Sequence, residues 1–271
     1  MAENILEKII KKKSERLINL KKKHPIKSLK EHPLDSMDYI DFREAIESNI
    51  SQNKISIIAE IKKASPSAGI IIENYNPADI AITFYKNKAT CLSVLTEEDF
   101  FLGSLDHIYK IKSKIDPRDP RAMHIPILCK DFFIDPYQVH LAKYYGADAI
   151  LIILSAVTEK IANQLYEEAL KLDMSVIVEV HTKDEAKCSL KFKDALIGIN
   201  NRNLKTLETN INTTFDIHDI LVVHKGPLIS ESGIKTKEEL LEIAKKTKIK
   251  TFLIGESLLK NLDKNSIFSV L

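Results

Sequence analysis

The sequence predicts an α/β fold, a (β/α)8 TIM barrel with an N-terminal helical extension. Eight short apolar runs rich in β-branched residues recur after residue 55, at intervals of roughly 20 to 35 residues. Most are separated by Lys- and Glu-rich stretches with helical spacing, a pattern typical of parallel strands covered by helices. Eight repeats within about 220 residues match the size of a closed barrel. A doubly wound sheet is the alternative, but it usually has a Gly-rich first turn, and this chain has seven glycines and no GxGxxG motif.

The first 50 residues are expected to form the helical extension. Apolar residues recur there with helical spacing among Lys and Glu. They are Leu6, Ile9, Ile10, Leu17 and Leu20. Two His-Pro pairs, at 24–25 and 32–33, interrupt this pattern, and residues 41–47 indicate a second, short helix. Residues 1–271 are expected to form a single domain.

The eight predicted strands follow this extension. They are SIIAEI (56–61), CLSVLT (91–96), IPILCKDF (125–132), AILIILS (149–155), SVIVEV (175–180), ALIGIN (195–200), PLIS (227–230) and TFLIG (251–255). Residues 158–172 and 236–246 are two of the helices predicted between them. The Pro-rich stretch at 116–126 is expected to be a loop rather than a domain linker, because a strand follows it at once.

The composition excludes several classes of protein. The 271 residues are 44% hydrophobic and 29% charged with a net charge of +2, so no strong field favours nucleic acid or a membrane. No apolar stretch is long enough to span a bilayer and the first ten residues are too charged for a signal peptide, so we expect a cytoplasmic protein. Cys91, Cys129 and Cys188 form no CxxC pair and sit in or beside apolar runs, which predicts buried free thiols. The histidines lack metal-ligand spacing, so no metal site is expected.

Polar side chains end several of the predicted strands. Because side chains alternate along a strand, Glu60 and Lys62 share one direction with Ile58 and are expected to face the mouth of the barrel. Other apolar runs end in the same way. The full set is Glu60, Lys62, Lys130, Glu179, Asn200 and Glu231. Catalytic groups of such barrels sit at the C-terminal strand ends, so this set predicts a convergent active site, with an ion-pair network as the alternative.

Glycines follow the last two predicted strands. Ser232 and Gly233 come after the seventh strand and Gly255 after the eighth. These two loops often form a phosphate site in barrels, because backbone N–H groups bind the anion and glycine lets it approach closely. Helix caps or turns without a ligand are the alternative interpretation.

Six motifs together resemble one family. They are EIKKASPS, LCKDFFIDPYQV, VEVH, GINNRNL, SESGI and IGESLL, each at a predicted strand end and in this order. The chain resembles the indole-3-glycerol-phosphate synthases from the N-terminal helix to about residue 260. The resemblance implies ring closure, decarboxylation and dehydration of 1-(2-carboxyphenylamino)-1-deoxyribulose 5-phosphate, a step of tryptophan biosynthesis that uses no cofactor. It also implies that the extension partly covers the active site.

The resemblance implies a general acid at Lys130 and a general base at Glu179. A lysine acid needs a lowered pKa, which we expect burial and nearby cations to supply. Lys62 is expected to hold the substrate carboxylate or to act as a second acid, and Glu60 to pair with a lysine. Asn200 is expected to bind substrate hydroxyls or the anilino nitrogen. Glu231 is expected to orient a substrate hydroxyl or a lysine.

The remaining expected contacts surround these groups. The proposed phosphate and substrate contacts are Ser65, Arg202, Ser232, Gly233 and Gly255, with Phe132 as a wall for the aromatic ring. His181 shares the direction of Glu179, and a structural hydrogen-bonding role is preferred for it. Leu102 stands where glycine is frequent in the family, so the loop around it is expected to be stiffer or shaped differently.

Two other functions are kept open. Lysines at two strand ends suggest a class I, Schiff-base aldolase-like phosphosugar barrel, although Asn200 stands where a lysine would be preferred. A non-catalytic phosphosugar-binding barrel, or an isomerase of phosphoribosylanthranilate, would have no clear use for so many charged strand ends. The expected partner is a small phosphorylated substrate, with no nucleic acid and no membrane, and the expected state is a monomer or weak homodimer.

Overall fold

The computed structural model describes residues 4–29, 41–114, 123–262 and 266–271. Eight strands are numbered here in chain order. They are β1 (Ser56–Ile61), β2 (Cys91–Leu95), β3 (Ile127–Lys130), β4 (Ala149–Ile153), β5 (Ser175–Val180), β6 (Leu196–Asn200), β7 (Leu228–Glu231) and β8 (Thr251–Ile254). All neighbours pair in parallel, and β8 pairs with β1 to close the barrel. The predicted TIM barrel is confirmed. A hairpin of two short strands, Ala64–Ser65 and Gly69–Ile70, follows β1.

Ten helices are described. They are α1 (Ile5–Lys23), α2 (Phe42–Ser51), α3 (Pro77–Lys86), α4 (Leu105–Lys112), α5 (Tyr137–Tyr144), α6 (Glu159–Lys171), α7 (Lys183–Ser189), α8 (Asn212–Leu221), α9 (Lys237–Thr247) and α10 (Glu256–Leu259). Single helical turns of the 3₁₀ type lie at Ile26–Leu29, Leu154–Ala156 and Ser266–Val270. The second His-Pro pair and most of the loop expected at 116–126 lie outside the described residues.

Side-chain capping sets the start of several helices. Asp41 accepts the backbone N–H groups of Arg43 and Glu44, so α2 begins at Phe42, and it continues beyond the predicted residue 47 to Ser51. Thr236 and Glu239 form a capping box at the start of α9. These local signals place helix starts within one residue of the sequence expectation.

Two apolar layers divide the strand side chains. The outward layer contains Ile57, Ala59 and Ile61 of β1, which pack with the helices. The inward layer contains Ile58 with apolar residues of the other strands, and it extends to α1 and α2. The alternation predicted for β1 is therefore confirmed. Cys129 belongs to the outward layer, away from the mouth.

The two extension helices close opposite ends of the barrel. Asn49 of α2 donates to Oγ of Ser56, the first residue of β1, at 3.1 Å, so α2 lies at the N-terminal end of the strands. Helix α1 lies over the C-terminal ends, where its residues Ile5, Leu6 and Ile9 line a cavity in the barrel mouth. The two helices of the N-terminal extension thus contribute to both ends of the core.

The thiols differ in burial. Cys91 and Cys129 are buried and free, as expected. Cys188 is exposed, so the expectation of a buried thiol is wrong there, because α7 turns Ala186 and Ser189 toward the core instead. In the described part of the chain, no helix is both long and apolar enough to cross a membrane.

Candidate active site

The six candidate catalytic residues meet at the barrel mouth. Five of them line one cavity under α1. They are Glu60, Lys62, Lys130, Glu179 and Asn200. Glu231, at the end of β7, lies directly beneath them and bonds to Lys130. Five of the eight strand ends supply one or two of these groups, so the barrel geometry brings together residues that are far apart in sequence.

Lys130 is held between two carboxylates. Its Nζ lies 2.6 Å from Oε2 of Glu231 and 3.1 Å from Oε2 of Glu179. Burial lowers the pKa of Lys130, but the negative charges of Glu231, Glu179 and Glu60 outweigh burial and raise it. The expectation that burial and cations would lower this pKa is wrong for the substrate-free protein, because carboxylates surround the amine.

Glu179 accepts contacts from three sides. Besides Lys130, Nδ2 of Asn200 donates to Oε1 at 3.0 Å, and Nε2 of His181 lies 3.2 Å from the same oxygen without a well-aligned hydrogen bond. Burial raises the pKa of Glu179, and these partners, led by Lys130, outweigh burial and lower it. Glu179 is therefore a stable carboxylate while Lys130 keeps its proton.

Glu231 has a different environment. Its side chain is fully buried, and Oε1 has no hydrogen-bond partner in the structure. Burial raises the pKa of Glu231 to about 7, with the charge of Glu179 adding to the rise and that of Lys130 opposing it. Gly198 on β6 leaves the space for this carboxylate, because a Cβ there would collide with Oε1. Gly198 is not among the residues predicted from the sequence. Its inward position in the Gly-Ile-Asn segment at the end of β6 was the only indication of its role.

Glu60 and Lys62 form the second ion pair of the mouth, which agrees with the expected pairing. Gly255 lies against it, and a Cβ at this position would lie 2.5 Å from Oε1 of Glu60. The glycine after β8 therefore makes room for Glu60 and borders the polar cavity described below.

One half of the mouth is apolar. Phe132 lies in its wall beside Phe101, with ring centroids 6.3 Å apart, and leucine and isoleucine side chains of β4 and α1 complete it. Leu102, next to Phe101, adopts a positive φ of 53°. A leucine in this conformation is unusual and strained, whereas glycine adopts it freely. The expectation of a different loop shape stays a prediction.

The other half is a polar cavity that adjoins the first. It is bordered by Ser232, Gly233 and Gly255, and by the side chain of Lys260. The two cavities share a border. Their common lining residues are Glu60, Lys62, Ser67, Arg202 and Ser232. The apolar-side cavity and the cation-lined cavity thus meet at the polar end of β1, where Glu60 and Lys62 line both.

Arg202 and Ser65 belong to loops that meet over this border. Nη1 of Arg202 donates to Oγ of Ser67 at 3.1 Å and to the carbonyl of Leu207 at 2.9 Å. Ser65 lines the apolar-side cavity, and its Oγ accepts the N–H of Ala68 at 3.1 Å. Both expected contacts are in the mouth, but Ser65 does not line the polar cavity.

The loop after β7, at which a phosphate contact is expected, is held in place by hydrogen bonds of Asn201. Ser232 and Gly233 both have positive φ, 67° and 79°. Nδ2 of Asn201 donates to the carbonyl of Ser232 at 3.1 Å, and Oδ1 of Asn201 accepts the N–H of Thr214. Asn201 was missed, although it is the second Asn of GINNRNL.

Comparisons with known proteins bear on this site. A family model described as indole-3-glycerol phosphate synthase matches residues 6–270. The indole-3-glycerol phosphate synthase of Bordetella pertussis is 38% identical over 260 residues, covering 96% of this chain and 95% of the relative. That of Polynucleobacter asymbioticus is 40% identical over 230 residues, covering 85% and 82%. The chain belongs to the indole-3-glycerol phosphate synthase family.

Solved structures agree with the fold. A phosphoribosylanthranilate isomerase from Thermotoga maritima has a TM-score of 0.51 and 10% identity, covering 80% of this chain and 94% of the isomerase. A tryptophan synthase chain from M. tuberculosis has a TM-score of 0.57 and 8% identity, covering 86% and 96%. At these identities the likeness concerns the barrel architecture alone.

In this family member α1 is joined to the loop that follows Lys130. The buried ammonium of Lys13 lies 2.7 Å from Oδ1 of Asp131, and Oδ2 of Asp131 accepts the hydroxyl of Thr96 at 2.8 Å. Farther along, Lys21 pairs with Asp135 at 2.6 Å. Nothing in the sequence shows which lysine of α1 lies over an acidic strand end.

No metal site is found in the ranges that the structure describes, where no cluster of three or more His, Cys, Asp or Glu side chains could hold an ion. The polar groups of the mouth instead pair with one another. Carboxylates and ammonium groups paired in this way can exchange protons and can bind anions.

Proposed function

We propose that this chain performs the reaction of its family, which makes indole-3-glycerol phosphate from 1-(2-carboxyphenylamino)-1-deoxyribulose 5-phosphate. Carbon dioxide and water are released, so the enzyme is a carboxy-lyase of tryptophan biosynthesis. Family membership supports this activity. The observation that supports it in the structure is a cluster of two lysines and three carboxylates at the mouth, where an apolar cavity adjoins a cation-lined cavity.

The two cavities suggest how the substrate lies. The aromatic ring fits the apolar half against Phe132, and the phosphate fits the polar half near Ser232, Gly233 and Gly255. Arg202 lines both and is suited to an anionic group at the border. The ribulose carbons that react would then cross the strand ends, where the charged groups are.

Lys130 is proposed as the general acid for ring closure. As the aromatic carbon attacks the ketone, the carbonyl oxygen becomes an alkoxide, which is a far stronger base than the ketone. A fully charged ammonium stabilises this oxygen and can give it a proton, so a raised pKa is compatible with the role.

Glu179 is proposed as the general base. Its low pKa depends on the charge of Lys130. When Lys130 releases its proton, that charge disappears and Glu179 becomes a stronger base. The order of events, acid first and base second, follows from this coupling.

The other roles complete the proposal. Lys62 binds the substrate carboxylate or acts as the second acid in dehydration, and Glu60 keeps its ammonium in place. Asn200 orients Glu179 and is within reach of substrate hydroxyls or the anilino nitrogen. Glu231 orients Lys130, and Ser65 is assigned to the apolar-side loop.

Incubation with the carboxyphenylamino-deoxyribulose phosphate tests the activity. We expect indole absorbance to rise while carbon dioxide is released in equal amount. The absence of both products from a folded sample would refute the proposed reaction.

A Schiff-base aldolase is disfavoured by the pairing of Lys130. Its nucleophile must be a neutral amine, and two carboxylates hold this one in the charged form. Borohydride reduction in the presence of a ketose phosphate distinguishes the two reactions, since only a Schiff-base enzyme would gain a covalent adduct by mass.

We infer further that the enzyme is cytoplasmic, a single domain over residues 1–271, and a monomer or weak homodimer. It is inferred to act on a small phosphorylated molecule and on neither nucleic acid nor membrane. The near balance of charge supports this. Sedimentation over a hundredfold range of concentration would show whether a dimer forms.

A further inference from the structure

One histidine of the VEVH motif lies between two carboxylates. Nε2 of His181 is 3.2 Å from Oε1 of Glu179, and Nδ1 is 3.3 Å from Oε2 of Glu185 on α7. The backbone N–H of His181 donates to the same Glu185 oxygen at 2.8 Å, which holds this segment in place. The described residues that line the apolar-side cavity do not include His181, so it reaches the site through Glu179.

Without this histidine, the five charged side chains at the strand ends carry more negative than positive charge. Three carboxylates, of Glu60, Glu179 and Glu231, face the two ammonium groups of Lys62 and Lys130. A buried carboxylate that shares its only cation with a second carboxylate tends to take up a proton. A third cation beside Glu179 would correct this imbalance.

We propose that His181 is a positioning residue whose imidazolium, held by Glu185, keeps Glu179 ionised and oriented for proton transfer. This inference rests on the role proposed above for Glu179. Burial lowers the pKa of His181, and its contacts with Glu179 and Glu185 outweigh burial and raise it to about 9. The same contact holds the pKa of Glu185 below its usual range, despite partial burial.

The charges around the ring favour its cationic form. Glu179 faces it from β5 and Glu185 from α7. Lys130 on β3 lies beyond Glu179, and Asn200 at the end of β6 is neutral. The Leu-Ser-Ala turn at 154–156, which packs against both β5 and α7, adds no charge.

Carboxyl NMR of the substrate-free protein tests the proposal independently of activity. Wild type and His181→Gln are labelled with ¹³C-glutamate, and the Glu179 signal is assigned by its absence from Glu179→Gln. We expect the pKa of Glu179 to be higher by about one unit in His181→Gln, since an adjacent cation is lost. His140→Gln is the matched control, because His140 pairs with Glu168 on the outer surface at 2.8 Å. It should leave Glu179 unchanged.

Kinetics provide the second measurement. If Glu179 must be ionised, the acidic limb of the kcat profile should move to higher pH by about one unit in His181→Gln. KM should change by less than about twofold, because the ring does not touch substrate. Glu185→Gln should shift the acidic limb in the same direction by a smaller amount. This variant replaces His181→Gln in the test if His181→Gln does not fold.

The outcomes separate the two hypotheses. A neutral His181 ring at pH 7.5, or an unchanged Glu179 titration in His181→Gln, overturns the positioning role. A changed titration with an unmoved pH profile overturns it too, since the charge of Glu179 would then not matter for turnover. A wild-type protein that makes no indole product refutes the proposed function instead, and the carboxyl titration still decides whether His181 controls Glu179.

Discussion

The two ends of the barrel each bury a lysine against carboxylates, but the charges balance at one end only. At the N-terminal end of the strands, Lys112 of α4 lies 2.6 Å from Oδ2 of Asp148, which precedes β4. The same oxygen accepts the N–H of Ile127 at 2.8 Å. One cation meets one anion, and the pair joins α4, β3 and β4. At the mouth, Lys130 meets two carboxylates, and one oxygen of Glu231 has no hydrogen-bond partner.

This difference separates a structural pair from a candidate catalytic one. Burial of the lysine is similar at both ends, with side-chain exposures of 7% for Lys112 and 13% for Lys130. Burial and pairing alone therefore do not identify a functional group. Excess negative charge next to a cavity does identify a candidate functional group, because a substrate or a proton can neutralise it.

The largest effect is expected for Lys130→Ala. Loss of the general acid should reduce kcat by about 10²- to 10⁴-fold. Stopped-flow or steady-state indole formation measures it, and thermal unfolding shows that the variant is folded. Activity within twofold of wild type would remove Lys130 from the acid role.

Lys112→Met should lower stability and leave turnover unchanged, which is the reverse of the effect expected for Lys130→Ala. It leaves Asp148 buried without its cation, so the free energy of unfolding should fall by about 3–5 kcal/mol while kcat of the folded enzyme stays unchanged. Urea unfolding measures the first and the indole assay the second.

Asp148→Asn in the same chain supplies the control for Lys112→Met. The amide oxygen can still accept the N–H of Ile127, so the double variant should recover most of the lost stability. A kcat that falls with Lys112→Met alone would show that the two ends of the barrel are coupled.

The mouth could be predicted from sequence because strand alternation is a strong constraint. Once β1 is placed at 56–61, Glu60 and Lys62 must face the mouth with Ile58, and the other strand ends follow in the same way. A phosphate site at the glycines after β7 and β8 stays a prediction, because helix caps or turns without a ligand would use the same residues.

Other features depend on distances that the sequence does not contain. The sign of the pKa change of Lys130 was wrong, because it depends on which charges lie nearest to Nζ. The space that Gly198 leaves depends on how far the side chain of Glu231 reaches from β7 over the neighbouring β6. The exposed face of α7, which carries Cys188, is set by packing around a helix of seven residues.

Gly198→Ala should displace the carboxylate of Glu231 at the mouth without removing a charge. The added Cβ would lie 3.0 Å from Cδ of Glu231 and 3.2 Å from Cγ2 of Ile177, and would collide with Oε1. Such overpacking typically costs about 1–3 kcal/mol of stability, and displacement of Glu231 should lower kcat by about tenfold. Glu231→Ala in the same chain should restore stability but not kcat. A single variant with wild-type kcat would show that the position of Glu231 is unimportant.

The smallest effect concerns how the stability of the protein depends on pH. In this respect the mouth differs from the Lys112–Asp148 pair. Because the pKa of Glu231 is raised to about 7, this group favours folding below about pH 4.5, and that contribution is lost as pH rises through 7. Glu231→Gln does not titrate, so its stability relative to wild type should increase by on the order of 1 kcal/mol between pH 5 and pH 8. Urea unfolding at both pH values measures this difference, with Glu242→Gln as a surface control. A difference that stays constant between pH 5 and pH 8 would mean that Glu231 is already ionised at pH 5, so the excess charge at the mouth would be permanent rather than relieved by a proton.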